Sequence, residues 1–310
     1  MALMLATLLS SLSHVLTQVL GPILLVAAAG YLLRRRLQVD VRSVSRVVFY
    51  ILAPSLIYTS IVTLDFDAAT AWRSLGYYAV YMLMMGLIAY GLTRLWGYNG
   101  ALGSAFVMCA ILLNNGNYGL PLNLFAFGPE GFGYALVFFM FNSLVGTTTS
   151  IYLLARGEDG ARVALRRTLK TPVVWAIFLG LISRSTGLVP SGALMDMLQL
   201  VGRAAIPTFL IVLGMTLAQT DARTNLRPVT RLSALRMAGG PIVAIVLSGL
   251  FGLGGVVRSV AILQGSMSTA VNSIVISNEF EAAPDFVAGS VFSTTLLSII
   301  TLPALLLWLM

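Results

Sequence analysis

Charge is scarce in this chain. Of its 310 residues only 10% are Asp, Glu, Lys or Arg, against about 25% in ordinary soluble domains. Histidine and cysteine are scarcer still: His14 and Cys109 are the single examples of each. One cysteine excludes an internal disulfide framework, and the pair of them argues against a zinc site or a Cys–His nucleophile system. What is abundant is apolar: 58% of residues are hydrophobic and the mean hydropathy is +0.92. Even a large soluble core buries only about three quarters of the surface of the unfolded chain, so a bilayer has to cover the rest.

A spanning helix needs about 20 predominantly apolar residues. Ten stretches qualify: Val15–Leu33, Val44–Leu64, Leu75–Leu95, Gly103–Phe125, Gly133–Leu154, Pro172–Thr186, Leu194–Leu217, Leu232–Leu253, Val256–Phe280 and Phe286–Leu309. The sixth is short, and the fourth and ninth are unusually polar. Residues 1–13 lack the basic start and small-residue cleavage site of an export signal and read as an extension of span one. Short loops rich in Lys and Arg stay cytoplasmic. In a ten-span chain, fifteen of the nineteen basic residues fall on one side: Arg34, Arg35, Arg36, Arg42, Arg46, Arg94, Arg156, Arg162, Arg166, Arg167, Lys170, Arg223, Arg227, Arg231 and Arg236. The net charge of +8 therefore reads as membrane orientation, with both termini outside a plasma (inner) membrane, and not as a footprint for nucleic acid.

The chain also repeats itself. Leu52-Ala53-Pro54 in span two has a counterpart in Ala205-Ile206-Pro207 of span seven, 153 residues on. Thr63-Leu64 matches Thr216-Leu217 at the same offset, Asp67-Ala68 matches Asp221-Ala222, and Gly128-Pro129-Glu130 matches Ala283-Pro284-Asp285. Each half holds five spans, an odd number, so the second half is inverted relative to the first. The halves are residues 1–155 and 172–310, joined by a basic cytoplasmic linker, 156–171. Inverted repeats characterise secondary transporters, whose substrates bind near the midplane where the halves meet.

Two spans carry helix-breaking polarity at their centres. Span four contains Asn114-Asn115-Gly116-Asn117-Tyr118-Gly119-Leu120-Pro121, and span nine contains Ser266-Met267-Ser268-Thr269-Ala270-Val271-Asn272-Ser273. Broken helix at membrane depth is tolerated only against protein or a water-filled cavity. Paired interruptions in corresponding positions point to a transporter's binding site. Each break exposes a half-helix N-terminus, with unpaired N–H groups and partial positive charge, which suits a carboxylate. Asparagine amides add neutral donors and acceptors. No Asp, Glu, Lys or His falls at the centre of a span, and Arg203 lies near an end of span seven, which argues against a carboxylate-based proton pump. Ser143, Thr147, Thr148, Thr149, Thr294 and Thr295 read as interhelical glue. Asn142, a lone amide in span five, reads equally as glue or as site. Pro54 and Pro207 read either as kinks or as a paired hinge and cavity wall. Glu279, Glu281 and Asp285 read as solvated, with Glu279 open to a place near the pathway.

These residues resemble the auxin efflux carrier family, which includes bacterial permeases and the PIN-formed auxin carriers of plants. Asn114–Leu122, ending Gly-Leu-Pro-Leu, is similar to that family's fourth-span crossover. Ser273–Phe280 with Pro284-Asp285 is similar to its ninth-span crossover and tenth span, and Ala53-Pro54-Ser55-Leu56 resembles its second span. The resemblance implies an all-α membrane fold of ten helices in two inverted repeats. In that fold helices 1, 2, 6 and 7 form a scaffold, and helices 3–5 and 8–10 form a transport domain that moves as an elevator. It implies a small organic anion as substrate, auxin-like or a carboxylate such as malate or malonate, no cofactor, no metal, and a homodimer paired through the scaffold. Carried over, Asn114, Asn115, Asn117 and Tyr118 line the first crossover and Ser268, Thr269 and Asn272 the second. Asn142, Pro54 and Ser55 complete the pocket, and Gly116, Gly119, Pro121 and Pro207 act as helix breaks or hinges. Where plant carriers place a proline at the heart of each crossover, this chain has Leu113 and Ser268 or Asn272.

The rival readings are a sodium- or proton-coupled symporter, an anion channel and a membrane enzyme. A channel calls for a polar stripe along several spans, and here the polarity is concentrated at two midpoints. An enzyme calls for a nucleophile–base pair or an intramembrane acidic dyad, which the chain does not offer.

Overall fold

A computed structural model describes residues 10, 12–64, 67–155, 160–219 and 226–310. Most of the proposed extension at residues 1–13 lies outside the described residues. So do Arg156, Arg223 and the Asp221-Ala222 member of the repeat. Among the described residues every regular element is a helix, and there is no strand. Seven helical runs are long and apolar enough to cross a membrane, and Gly100–Ile111 and Pro172–Thr186 are shorter apolar helices. The sequence-read spans that fail to form one long helix are the fourth, sixth and ninth, the short and polar ones.

In chain order the helices are α1 (Gly21–Leu37), α2 (Val41–Val47), α3 (Ala53–Thr63), α4 (Ala68–Leu95), α5 (Gly100–Ile111), α6 (Leu120–Phe141) and α7 (Thr147–Leu154). After the linker helix α8 (Gly160–Leu169) come α9 (Pro172–Thr186), α10 (Ala193–Arg203), α11 (Ala205–Gln219), α12 (Leu226–Ala234), α13 (Gly240–Leu250), α14 (Gly255–Gly265), α15 (Asn272–Glu279) and α16 (Pro284–Leu309).

Prolines explain much of the irregularity. A proline ring inside a helix collides with the carbonyl four residues back and removes a hydrogen bond. Here a widened π-type turn precedes the proline four times: Val15–Leu20 before Pro22, Val48–Leu52 before Pro54, Asn115–Gly119 before Pro121, and Leu235–Gly239 before Pro241. A fifth widened turn, Asn142–Gly146, has no following proline. Gly128, at φ 64° and ψ −159°, breaks α6 into two segments, the second starting at Pro129.

Close packing follows the glycines. A Cβ on Gly214 would collide with the Ala27 carbonyl, and one on Gly30 with the backbone of Ile211, so α1 and α11 touch backbone to backbone. Gly202, at the end of α10, lies against the backbone of Ser55 and Leu56. Span seven is interrupted at Ala204, between α10 and α11, so the irregular parts of spans two and seven meet.

Arginines tie the helix ends together. The Arg73 guanidinium, at the start of α4, donates to the carbonyls of Phe251 (2.9 Å) and Gly252 (2.7 Å) beyond α13. At the opposite end of α4, Arg231 lies 4.4 Å over the Trp96 ring and donates to the Tyr98 hydroxyl at 2.9 Å. Arg184 donates to the carbonyls of Ile61 and Leu64. Arg167 of the linker helix pairs with Glu279 at 2.5 Å and covers the Phe280 ring. The acidic segment after span nine thus meets the basic linker, and Glu279 sits at the far end of α15 from the interruption.

Candidate functional site

Helices α5 and α14 both stop in the middle of the molecule, and their continuations cross. Leu113 and Thr269 form an antiparallel bridge. The Asn114 amide donates to the Ser268 carbonyl and the Ala270 amide to the Leu112 carbonyl, both at 2.9 Å. Neither break contains a proline. Each segment gives up helical bonds and recovers two of them from the other, which satisfies backbone groups that lipid could not. The heart of the second crossover is therefore Thr269, beside Ser268 and three residues before Asn272. Residues 111–123 and 261–271 are all buried, so the crossing is closed on both sides.

Beyond the crossing the chain becomes helical again, first in the widened turn Asn115–Gly119 leading into α6, then in α15. Two helix C-termini and two helix N-termini therefore converge there. The N-terminal side carries the asparagines. The Asn115 carbonyl oxygen accepts from the Tyr78 hydroxyl at 3.1 Å, and the same hydroxyl lies 3.5 Å from the Asn142 carbonyl oxygen. The Asn142 amide donates to the Leu113 carbonyl at 2.8 Å, tying span five to the break. The Nδ2 groups of Asn114 and Asn115 and the Ser273 hydroxyl are buried without a partner within the protein. Such donors cost free energy unless a ligand satisfies them. Asn117 is buried and Asn272 half-buried, while Tyr118 is buried on the same widened turn.

Thr269 is held by two bonds and its neighbour Ser268 by a third. The Thr269 hydroxyl donates to the Cys109 carbonyl (3.0 Å), its amide donates to the Thr294 hydroxyl (3.1 Å), and Thr295 donates to Ser268 at 3.3 Å. The threonines read as glue on α16 thus hold the second break itself. Gly116 and Gly119 do not adopt a left-handed conformation. A Cβ at Gly116 would meet the Phe139 ring, and one at Gly119 the Gln264 amide, so they act by close approach. Pro121 enters at the first turn of α6, where its missing N–H costs least.

Three expected site residues lie elsewhere. Ser55 turns its hydroxyl back to the Ile51 carbonyl at 2.8 Å. Pro54 and Ser55 line a surface groove of about 420 Å³ with Tyr58, Lys170, Pro172 and Trp175, on the face of α3 turned to α9. Pro207 is exposed on α11. The reason is the π-turn before Pro54 and the break at Ala204, which direct these segments toward each other and away from the crossing.

Two sets of residues escaped the sequence reading. Tyr77, Tyr78 and Tyr81 of α4 are fully buried. Tyr77 donates to the Ala261 carbonyl at 3.0 Å, and Tyr81 donates to that of Gly265. Their i, i+1, i+4 spacing inside span three was the available signal. The second is Arg236, counted with the cytoplasmic arginines. It is fully buried in the widened turn before Pro241, because that turn lies inside span eight and not before it.

Seven crossing-length apolar helices among the described residues make this a multi-pass membrane protein, and a closed crossing of interrupted helices suits a transporter. A family model described as membrane transport protein, the auxin efflux carrier domain, matches residues 159–306. The chain is 29% identical over 295 residues to an uncharacterized transporter of Methanothermobacter thermautotrophicus, a match covering 93% of this chain and 96% of that one. It is 24% identical over 230 residues to an uncharacterized transporter of Methanocaldococcus jannaschii, covering 71% and 73%. The protein is a membrane transporter.

Proposed function

We propose that this transporter moves a small organic carboxylate, held at the crossing by the N-terminal ends of α15 and of the widened turn before α6. The observation that carries the reading is the set of buried, unpartnered donors on that side, Asn114 Nδ2, Asn115 Nδ2 and the Ser273 hydroxyl. A carboxylate supplies the acceptors they lack, and helix N-termini favour its charge. Asn117, Tyr118, Ser268, Thr269 and Asn272 complete the lining, with Asn142 positioned behind it.

Alternating access follows from the way the helices group. α1, α3, α9, α10 and α11 pack on one another, while α4, α5, α6, α13, α14 and α16 form the second group. This division supports ten spans in two inverted repeats, residues 1–155 and 172–310, with an elevator motion of the second group against the first. The arginine ties at the two ends of α4 are compatible with a cytoplasmic basic face and outward termini. A potential negative inside favours anion export by about 2.3 kcal/mol per charge per 100 mV. The groove at Pro54 and Trp175 leaves the α3–α9 face of the scaffold open to a second copy in a homodimer.

Flux of labelled malate, malonate and indole-3-acetate into proteoliposomes tests the proposal, wild type against Asn117→Ala. Flux of at least one acid, reduced about tenfold in the variant (about 1.4 kcal/mol), is expected. Unaltered flux in the variant removes the site, and no flux of any acid removes the substrate class.

A further inference from the structure

Arg236 is fully buried, yet no carboxylate pairs with it among the described residues. Its two terminal nitrogens donate instead to oxygens, and Nε is buried without a partner within the protein. Nη1 donates to the Tyr81 hydroxyl (2.9 Å) and the Ala110 carbonyl (3.3 Å), and Nη2 to the carbonyls of Gly265 (3.1 Å) and Met267. Ala110 belongs to the last turn of α5, Gly265 ends α14, and Met267 lies just beyond it. The side chain therefore spans the two helix C-termini that converge on the crossing. Each such end carries a partial negative charge of about half an electron, so the two together match one guanidinium.

We infer that Arg236 is the resident counter-ion of the crossing, a tethered cation that neutralises the C-terminal ends of α5 and α14 and fixes them to each other. An isolated buried charge is strongly unfavourable, and here the two helix ends and four oxygens supply the compensation. The carbonyls are ones that lipid would leave unpaired. Tyr81 reinforces the arrangement, since its hydroxyl meets both the guanidinium and the Gly265 carbonyl. With the negative ends balanced from within, the fold closes without a soluble metal cation, and the N-terminal ends are left as the unbalanced ones. This inference concerns the cation side of the crossing and stands whether or not the anion is a carboxylate.

The test is chemical rescue, read as thermal stability of the purified full-length protein in detergent. Arg236→Ala leaves a hole shaped for a planar cation. The variant is expected to melt about 5 °C or more below wild type. Low-millimolar guanidinium chloride is expected to recover much of that loss, whereas urea, its neutral isostere, does not. Arg236→Lys, which keeps the charge with fewer donors, is expected to fall between. Wild type is expected to melt at the same temperature in sodium, potassium and choline chloride. If Arg236→Ala cannot be purified, its monodisperse yield after extraction in guanidinium against urea gives the same comparison. A variant as stable as wild type, equal responses or no response to guanidinium and urea, or a sodium-specific rise in wild type overturns the assignment.

Discussion

Leu113 and Thr269 face each other as an antiparallel pair at the point where their two helices stop. They come from opposite halves of the chain and occupy nearly equivalent places in the sequence repeat, so one local pairing builds the centre of the molecule from both halves. Arg236 lies on the side of the helix C-termini and the asparagines on the side of the N-termini.

The hydroxyl of Tyr78 orients Asn115 and lies near Asn142. Tyr78→Phe removes that hydrogen bond while keeping the ring, which packs against Phe138 and Phe141. A buried hydrogen bond contributes about 0.5–1.5 kcal/mol. Carboxylate affinity, measured by titrating flux in proteoliposomes, is expected to fall about 2- to 10-fold, with only a small change in melting temperature.

Contact between α1 and α11 depends on glycine. Gly214→Val drives a side chain into the Ala27 carbonyl, and overpacking of this kind costs about 1–3 kcal/mol or more. A lower melting temperature in detergent is expected. Gly249→Ala meets nothing within 4 Å and is the matched control, expected to leave stability unchanged.

Phe139 of α6 and Phe209 of α11 meet with ring centroids 6.0 Å apart, across the two groups proposed to slide. In a Cys109→Ser background, Phe139→Cys with Phe209→Cys is expected to lose transport when bridged by a bifunctional thiol reagent. A reducible bridge restores transport on cleavage. Persistence of full flux in the bridged protein would rule out motion at this contact.

Asp40 caps α2, accepting from the Ser43 amide (2.9 Å) and hydroxyl (2.8 Å). The Ser43 hydroxyl bond, then the Ser43 amide bond, hold its carboxyl below the ordinary value of 3.8. A depressed folded-state value means stabilisation that is present above the unfolded pKa and lost as pH falls through the folded one. Asp40→Ala is therefore expected to lower the melting temperature slightly at neutral pH. The difference between the two proteins is expected to shrink as the buffer is acidified below 3.8.

The sequence carried the crossing's position because Asn114–Pro121 is too polar and too rich in glycine and proline to sit in lipid as plain helix. It carried the second break less clearly, since Ser266–Ser273 has no glycine or proline and its interruption shows only in its pairing with Leu112–Asn114. Arg236 was hidden by its neighbours. It stands close enough to Arg227 and Arg231 to read as one more loop residue, and only the widened turn before Pro241 brings it inside. Pro54 and Pro207 match in the sequence yet Pro54 lines a surface groove and Pro207 is exposed on α11, because periodicity reports equivalence and not distance. The tyrosines of α4 pass for ordinary apolar core until their hydroxyls are placed on particular carbonyls.

The charge on the solute is the most direct test of the N-terminal site. Thermal shifts in detergent would compare indole-3-acetate with indole-3-acetamide and malonate with malonamide, for wild type and Asn115→Asp. A ligand that binds only the folded protein raises its apparent stability. The prediction is that at least one acid stabilises wild type, its neutral amide does not, and Asn115→Asp abolishes the difference by repelling the anion. Equal stabilisation by acid and amide, or an undiminished response in Asn115→Asp, would contradict it.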